Sequence, residues 1–453
     1  MKKRLKSAVS VVMASAMLLA MLSGCSKTGS AGSSAGGSSA NGTSGSLKGS
    51  VNEKKDFKFL SIWAQNTDNA QLITGLDKEY EAKHPNFKLD FEMVSSDDLM
   101  EKITTLQAAN ELPDAFAYES GKPLEKLIDE GALVNIGDAF KSAGIYDQLE
   151  PSAVSLLNKL VDNKGLYAIP LGMNIEGFWY NKKMFADNNI SVPKTWDDLI
   201  NDCKVLYSKN IQPIAVAGKD KWPATRLLSA YIMMSQGPDA LQDAVVNKQS
   251  IDTPDFIKAA QVVQNMSTAG YFGKGVDTVD LATAVSMVLN NKAGMIYDGS
   301  WITQDLNNKT ENALGPDGVG FFNVPLVTGG KGKATDYSVN CGNILALSKA
   351  SYDASTQDWV KFVFSQFGDY AMAQQGVYKG FKINNMPSDV SGYTKLVGEQ
   401  LDKVQGPSLW FEGSFDDQTT KIAEDSVQTL LLGTTSPSDY FKNINASLQS
   451  NED

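Results

Sequence analysis

Beyond residue 54 the apolar positions fall into two alternating rhythms. Residues 57–63, FKFLSIW, form a short and nearly continuous apolar run that predicts a buried strand. The following NTDNAQLITGLDKEYEAKH places Leu72, Ile73, Leu76 and Tyr80 on one face of a helix, with Asp68 as its N-cap. Residues 87–94 read as the next strand, and residues 96–110 as a helix with Leu99, Ile103 and Leu106 in phase. Residues 114–120, DAFAYES, make a third strand that ends in polar side chains. Strands and helices alternating at this length predict a parallel-rich α/β sheet, with ligands gathering beyond the carboxyl ends of its strands.

The middle of the chain carries GLYAIPLGMNIEGFWYNKKMFADNNISVPKTWDDL, residues 165–199. Thr195 is placed to cap a helix, and Asp198 three residues on is a shortened version of the capping-box acid. Trp196 falls in that helix's first turn, and Leu199, Cys203 and Leu206 give it an apolar stripe. Further blocks are GKDKWPATRLLSAY, NNKAGMIYDGSWITQDL and DYSVNCGNILALSK, followed by a helix-rich tail. No fixed-period repeat is present.

The first 54 residues follow different rules. Lys2, Lys3, Arg4 and Lys6 precede an apolar stretch to Leu22, too short for a comfortable membrane span and suited to the apolar core of a secretion signal. Its end, Leu22-Ser23-Gly24-Cys25, resembles the lipobox of bacterial lipoprotein signals, which implies cleavage before Cys25 and a lipid on its sulfur. Serine and glycine then dominate to residue 50, a composition that cannot bury enough surface to fold. Such a tether has a root-mean-square reach of about 25–30 Å.

Composition narrows the classes. About 400 residues follow the tether, enough for two large domains or a two-lobed body. The whole chain carries a net charge of −11, and removal of residues 1–24 takes away four positive charges and no acids. An acidic body without a basic cluster argues against nucleic acid. Cys203 and Cys341 could pair after export, but Cys203 sits on an apolar helix face, so two buried thiols are expected. The single histidine, His84, precedes Pro85 at a helix end and reads as a surface residue. Histidine-based metal sites and Ser-His-Asp catalysis therefore lack their parts, and no metal or cofactor is expected.

The block YAIPLGMNIEGFWYNKKMF…VPKTWDDL, together with NKAGMIYDGSW, resembles the extracellular solute-binding proteins of ABC importers, in the sugar-binding family that includes maltose-binding protein. Asn291 stands where the family pattern opens with glycine. The resemblance runs from about Phe57 to Leu448. It implies an α/β, two-lobe periplasmic-binding-protein (flytrap) fold with crossing hinge strands. Projected onto this chain, a signal peptide (1–24) and a tether (25–54) precede lobe 1 at 55–169, with a return segment at about 343–385. Lobe 2 takes 170–340 plus C-terminal helices at about 386–453.

A sugar needs a flat aromatic for its C–H face and carboxylates or amides for its hydroxyl rim. Of seven tryptophans, Trp179 in a strand, Trp196 in a helical turn and Trp359 on an apolar helix read as core. Trp63 closes the first strand, Trp222 lies in the loop GKDKWP, Trp301 follows YDGS at a strand-to-helix turn, and Trp410 lies in GPSLWFEGSFDD. These four, with Asn66, Asp68, Glu119, Ser120, Asn174, Asp298 and Glu412, form the candidate ligand site. Asn340 and Asn343 flank Gly342, where a hinge role competes with ligand contact.

The expected function is that of a lipid-anchored substrate-binding subunit that delivers a sugar or oligosaccharide to ABC permease transmembrane subunits. The expected protein is a monomer at the extracellular face of the cell membrane, on a Gram-positive surface in preference to a Gram-negative periplasm. A non-sugar solute such as a polyamine stays open, because acids lie near the tryptophans. A glycoside-cleaving enzyme would need two carboxylates flanking the bond, and Glu119, Asp298 and Glu412 could supply them. No segment resembles a glycosidase motif, so a non-catalytic role is expected.

Overall fold

The computed structural model describes residues Leu47–Ser450. The expected signal peptide, the expected lipidation site Cys25 and most of the expected tether lie outside the described residues. Two sheets organise the body. The first has strand order β2-β1-β3-β9, from β1 (Lys55–Ser61), β2 (Phe87–Met93), β3 (Ala115–Tyr118) and β9 (Ile344–Leu347). The second runs β10-β8-β4-β6-β5, with β7 also paired to β4. Its strands are β4 (Asn174–Asn181), β5 (Gln212–Ala215), β6 (Ala293–Gly299), β7 (Val319–Phe322), β8 (Asp336–Asn340) and β10 (Gly406–Ser408).

The helical phase read from the first segment is the phase that packs. In helix Asp68–Glu81, Leu72, Ile73, Leu76 and Tyr80 are all fully buried. They meet Phe57 and Phe59 of β1 in one core, which helix Ala354–Phe364 closes through Trp359, its ring centroid 4.5 Å from that of Phe57. Every residue of β3 is buried, as expected for a strand covered on both faces.

The start of the first helix differs from expectation. Thr67, not Asp68, occupies the N-cap, and its side chain makes no cap bond. Asp68 is the first helical residue at φ 45°, so its carboxyl is released from capping duty. The Thr195–Asp198 capping box is complete, with the Asp198 N–H on the Thr195 hydroxyl at 3.1 Å and the Thr195 N–H on the Asp198 carboxylate at 3.0 Å.

The parallel-rich expectation holds for the first sheet, where β1 pairs parallel with β2 and β3 and only β9 runs the other way. The second sheet is mixed, because β4 is antiparallel to β6, β7 and β8. The cause lies at the junction. Ile169, just upstream of β4, bridges Leu345 of β9, while β8 leads directly into β9 through Cys341–Asn343. One chain leaves the first sheet where the other enters it, so β4 and β8 must run in opposite senses. Neighbouring residues of β4 serve opposite faces, Phe178 in one core and Trp179 in another, as a period of two requires.

Trp179, Trp196 and Trp359 are 0%, 3% and 0% exposed, which matches their reading as core. Cys203 and Cys341 are free and buried.

One buried acid yields a pH prediction. Asp77 accepts a hydrogen bond from the Trp359 indole N–H at 2.9 Å and is 2% exposed. Burial pushes its carboxyl up to about 6, against the indole's pull toward the ionised form. The folded protein therefore holds this proton to higher pH than the unfolded chain does. The group's contribution is fully present below its ordinary value of 3.8 and is lost as pH rises through about 6. Asp77→Asn keeps an acceptor for Trp359 and removes the ionisation. It should leave unfolding free energy unchanged near pH 4 and raise it by about 1–3 kcal/mol at pH 7.5 in denaturant titrations.

Candidate ligand-binding site

The site begins at the strand crossing. Asn174 opens β4 opposite Asn340, the last residue of β8. The Asn174 amide donates to the Asn340 carbonyl oxygen at 3.2 Å, and the Ser300 hydroxyl donates to Asn174 at 3.2 Å. Asn340 in turn donates to the carboxylate of Glu176 at 2.8 Å, and its own side-chain oxygen accepts the Gly342 N–H at 2.9 Å. Gly342 takes φ +65°, a turn that an L side chain rarely adopts.

Glu176 is 1% exposed, and Arg226 supplies its counter-charge through Nη1 at 2.6 Å. Arg226 comes from helix Trp222–Gln236, one turn beyond Trp222. Its guanidinium lies 5.3 Å from the Trp222 ring centroid and 5.5 Å from that of Trp410, within reach of cation–π attraction to both. Nε stands 3.8 Å from the carboxylate of Glu412, which also accepts a short hydrogen bond from the Thr225 hydroxyl. Burial raises the Glu412 carboxyl above its ordinary range, while Arg226 and Thr225 oppose the rise.

Trp301 completes the aromatic group. Its ring meets Trp222 edge-on, with centroids 5.9 Å apart at 66°. The indole lies flat against Gly299, where an added Cβ would come within 2.1 Å of the ring, so only glycine fits beneath it. Asp298, one residue earlier, is 3% exposed. One carboxylate oxygen accepts the Gly299 N–H at 2.9 Å; the other makes no hydrogen bond of full geometry, although the Trp301 indole beside this carboxyl favours its ionised form. Burial holds this carboxyl well above the ordinary range, with Gly299 opposing and the charge of Glu176 adding to it.

Residues that follow β3 contribute at the edge of this network. Glu119 accepts from the Asn343 amide at 2.5 Å; burial raises its carboxyl while Asn343 and Arg226 pull it down. Ser120 is buried beside it, and Gly121 approaches the Gly413 carbonyl so closely that a Cβ would sit 3.0 Å away. Asp68 faces Lys379: burial raises the acid and lowers the ammonium to about 8, each partner opposing the other's shift. Asp305, across from Asp68, is pushed up to about 6 by burial and then by Glu311 and Asp68. Trp63 is half-buried on the first core and Asn66 is exposed; neither enters the network above.

Asn174, Trp222, Asp298, Trp301, Trp410 and Glu412 are thus joined in one network, with Glu119 and Ser120 at its margin. Trp222 lies in the first turn of its helix, not in the loop expected for it. Arg226, Glu176 and Lys379 were not anticipated. A signal for the first was present, since Arg4 and Arg226 are the chain's two arginines. Glu176 was equally visible as the single acid in the strand NIEGFWYN.

Residues 63–366 match the profile of the family described as bacterial extracellular solute-binding protein. The chain belongs to that family. Among relatives of this solute-binding protein, the multiple sugar-binding protein of Streptococcus mutans is 23% identical over 350 residues, covering 75% of this chain and 77% of that one. Two uncharacterised ABC transporter extracellular-binding proteins of Pyrococcus horikoshii are 23% and 22% identical, over 65% and 53% of this chain. The chain spans 64% and 56% of their lengths. A solved chitin oligosaccharide binding protein superposes with a TM-score of 0.78 at 23% identity, over 87% of this chain and 98% of that chain. At that identity the likeness speaks for the two-lobe fold. The family is one of solute-binding proteins and is non-catalytic.

Arg226 is the test of the network. Arg226→Met removes the counter-charge from two buried acids and should cost the solute-binding protein about 3–5 kcal/mol of stability in chemical denaturation. Adding Glu176→Gln should restore a substantial part of that loss. Equal stability of the single and double variants would mean that the pair is not coupled.

Proposed function

We propose that this protein is the lipid-anchored substrate-binding subunit of an ABC importer and that it captures a sugar or oligosaccharide between its lobes. The observation that carries the reading is the cluster of Trp222, Trp301 and Trp410 beside the Asp298 oxygen that makes no hydrogen bond of full geometry. Indole faces suit the C–H faces of a sugar ring, and a buried acceptor still short of a full hydrogen bond suits a hydroxyl at its rim. Glu119, Ser120, Asn174 and Glu412 serve as further polar contacts, with Trp63, Asn66 and Asp68 entering from the first lobe.

The lobes are taken as 55–169 with 343–385, and 170–340 with 386–453. Ligand closes them and shifts an existing open–closed equilibrium by no more than its preference for the closed state. The permease recognises the closed form. The lipobox-like end of the leader and the Gly/Ser tether support a body held by lipid on Cys25 and free to swing at the extracellular face. The names of the sugar-binding relatives support the same ligand class.

A polyamine is the second reading, favoured by the number of acids around one arginine. Burial, and then the charges of Glu412 and Glu119, raise the Glu424 carboxyl, with Arg226 opposing.

Thermal unfolding of the mature chain against mono- and oligosaccharides, with spermidine included, separates the two. Ligand at a hundred times its dissociation constant should add about 2.7 kcal/mol of stability. A rise with one glycan class, recovered intact, supports the sugar reading; a rise with spermidine alone overturns it. In calorimetric titration with that glycan, Trp301→Ala should weaken binding by about 2–4 kcal/mol, the range of a buried aromatic anchor. A loss below about 0.5 kcal/mol would exclude Trp301 from the site.

A further inference from the structure

A second cavity lies on the second lobe, away from the tryptophan–arginine network. Its volume is about 430 Å³, within the range of small-molecule pockets. At about 30 Å³ per water that is room for roughly a dozen non-hydrogen atoms. Its floor is Trp196, Tyr231, Met266 and Tyr271, all less than 9% exposed. Trp196 and Tyr231 meet edge-on, with centroids 5.2 Å apart at 70°, so they present two aromatic walls at a steep angle.

Beside this cavity one buried polar group lacks a partner. The Trp196 indole N–H has no hydrogen-bond acceptor, although the side chain is only 3% exposed. A buried donor left unmade is costly, and such a group is satisfied when an acceptor enters beside it. The rim offers Asp197, Lys258 and Asn265. One Asp197 oxygen already accepts from Thr328 at 3.3 Å, and the Asn265 oxygen from Gln261 at 2.8 Å. That leaves the other Asp197 oxygen, the Lys258 ammonium and the Asn265 amide N–H groups toward a ligand. The two rim charges cancel, which disfavours a strongly charged ligand.

The walls are fixed. The Trp196 backbone N–H bonds to the Leu326 carbonyl at 2.9 Å, and the Leu326 backbone N–H bonds back to the Lys194 carbonyl at 3.0 Å. Further along the same loop, the Lys331 and Gly332 N–H groups bond to Ser235 and Met234, each at 3.1 Å. The loop that carries Val327 and Thr328 is therefore pinned at both ends.

We propose that this cavity is a second ligand site that takes a single neutral, polyhydroxylated ring. The ring's C–H face lies on the aromatic floor, one oxygen accepts from Trp196, and outer hydroxyls meet the rim. Tyr231 lies nine residues beyond Trp222 on the same helix, about 13–14 Å along its axis, so the two sites fill separately. The inference stands on this cavity alone and holds whatever ligand the main network takes.

The test uses the mature chain with ¹⁵N-labelled tryptophan and follows the indole N–H resonances of its seven tryptophans. Trp196→Phe identifies the Trp196 signal. Titration with D-xylose, D-glucose and D-galactose should move that signal along a saturable curve with at least one of them. Asn265→Phe, which narrows the mouth from an exposed helical position, should abolish the movement; Thr328→Phe does the same from the opposite wall if the first variant is unstable. A Trp196 signal that stays still with every monosaccharide would overturn the proposal. So would a movement that persists unchanged in a folded mouth variant, because it would then be transmitted from elsewhere.

Discussion

Arg226 holds the one guanidinium among the described residues, and the arrangement of the site depends on it. Two carboxylates less than 9% exposed, Glu176 and Glu412, face it, and two indoles flank it. Burying charge is expensive, and a pair survives only when its remaining lone pairs and protons are also satisfied. Glu176 meets that condition by accepting from Asn340 as well, and Glu412 by accepting from Thr225, whereas Arg226 Nε, 3.8 Å from Glu412, makes no hydrogen bond. An arginine suits this position where a lysine would not, because a planar fork can serve separate acids while its faces lie against rings. The tryptophans are thereby held in place before any ligand arrives, which lowers the ordering cost of binding.

The same network reaches the backbone crossing. Asn340 is the last residue of β8, and Asn174 the first of β4, so the amides that orient Glu176 sit where the chain passes between the sheets. Asn343, just past Gly342, holds Glu119 at the end of β3. Any rotation of one sheet against the other at Cys341–Asn343 therefore shifts Glu119 relative to Glu176 and Arg226. The candidate site and the strand crossing therefore share side chains through Asn340 and Asn343.

Much of this was legible in the sequence because burial leaves a periodic trace. The stripe Leu72, Ile73, Leu76 and Tyr80 and the Thr195–Asp198 capping box are local patterns, and local physics decides them. The position of Trp301 after Asp298, Gly299 and Ser300 was readable for a similar reason, since the turn and its indole are neighbours in sequence. What escaped depends on contacts distant in sequence. Glu176 and Arg226 are 50 residues apart, and nothing in either segment names its partner. The mixed direction of the second sheet follows from where two chains cross, which alternation of strands and helices does not encode. Asp68 was read as a cap from residue preference alone, yet the helix starts one residue earlier and leaves that carboxyl to Lys379.

The surplus of acids around Arg226 bears on ligand charge in a way that a count of residues would miss. Formal charges make the region look built for a cation. Burial changes that, since it pushes Glu424 up to about 8 with Glu412 and Glu119 adding to the effect, and Arg226 and Lys221 only partly opposing it. Raised in this direction, the carboxyl attracts a cation less than an exposed carboxylate does. Protonated, it donates one hydrogen bond and still accepts others. A hydroxyl also donates and accepts, so a mixture of neutral and ionised carboxyls matches a polyol on both counts. A polyamine offers donors only and would have to ionise these acids against their desolvation. The balance of burial over charge in this cluster therefore favours a neutral hydroxylated ligand over a cationic one.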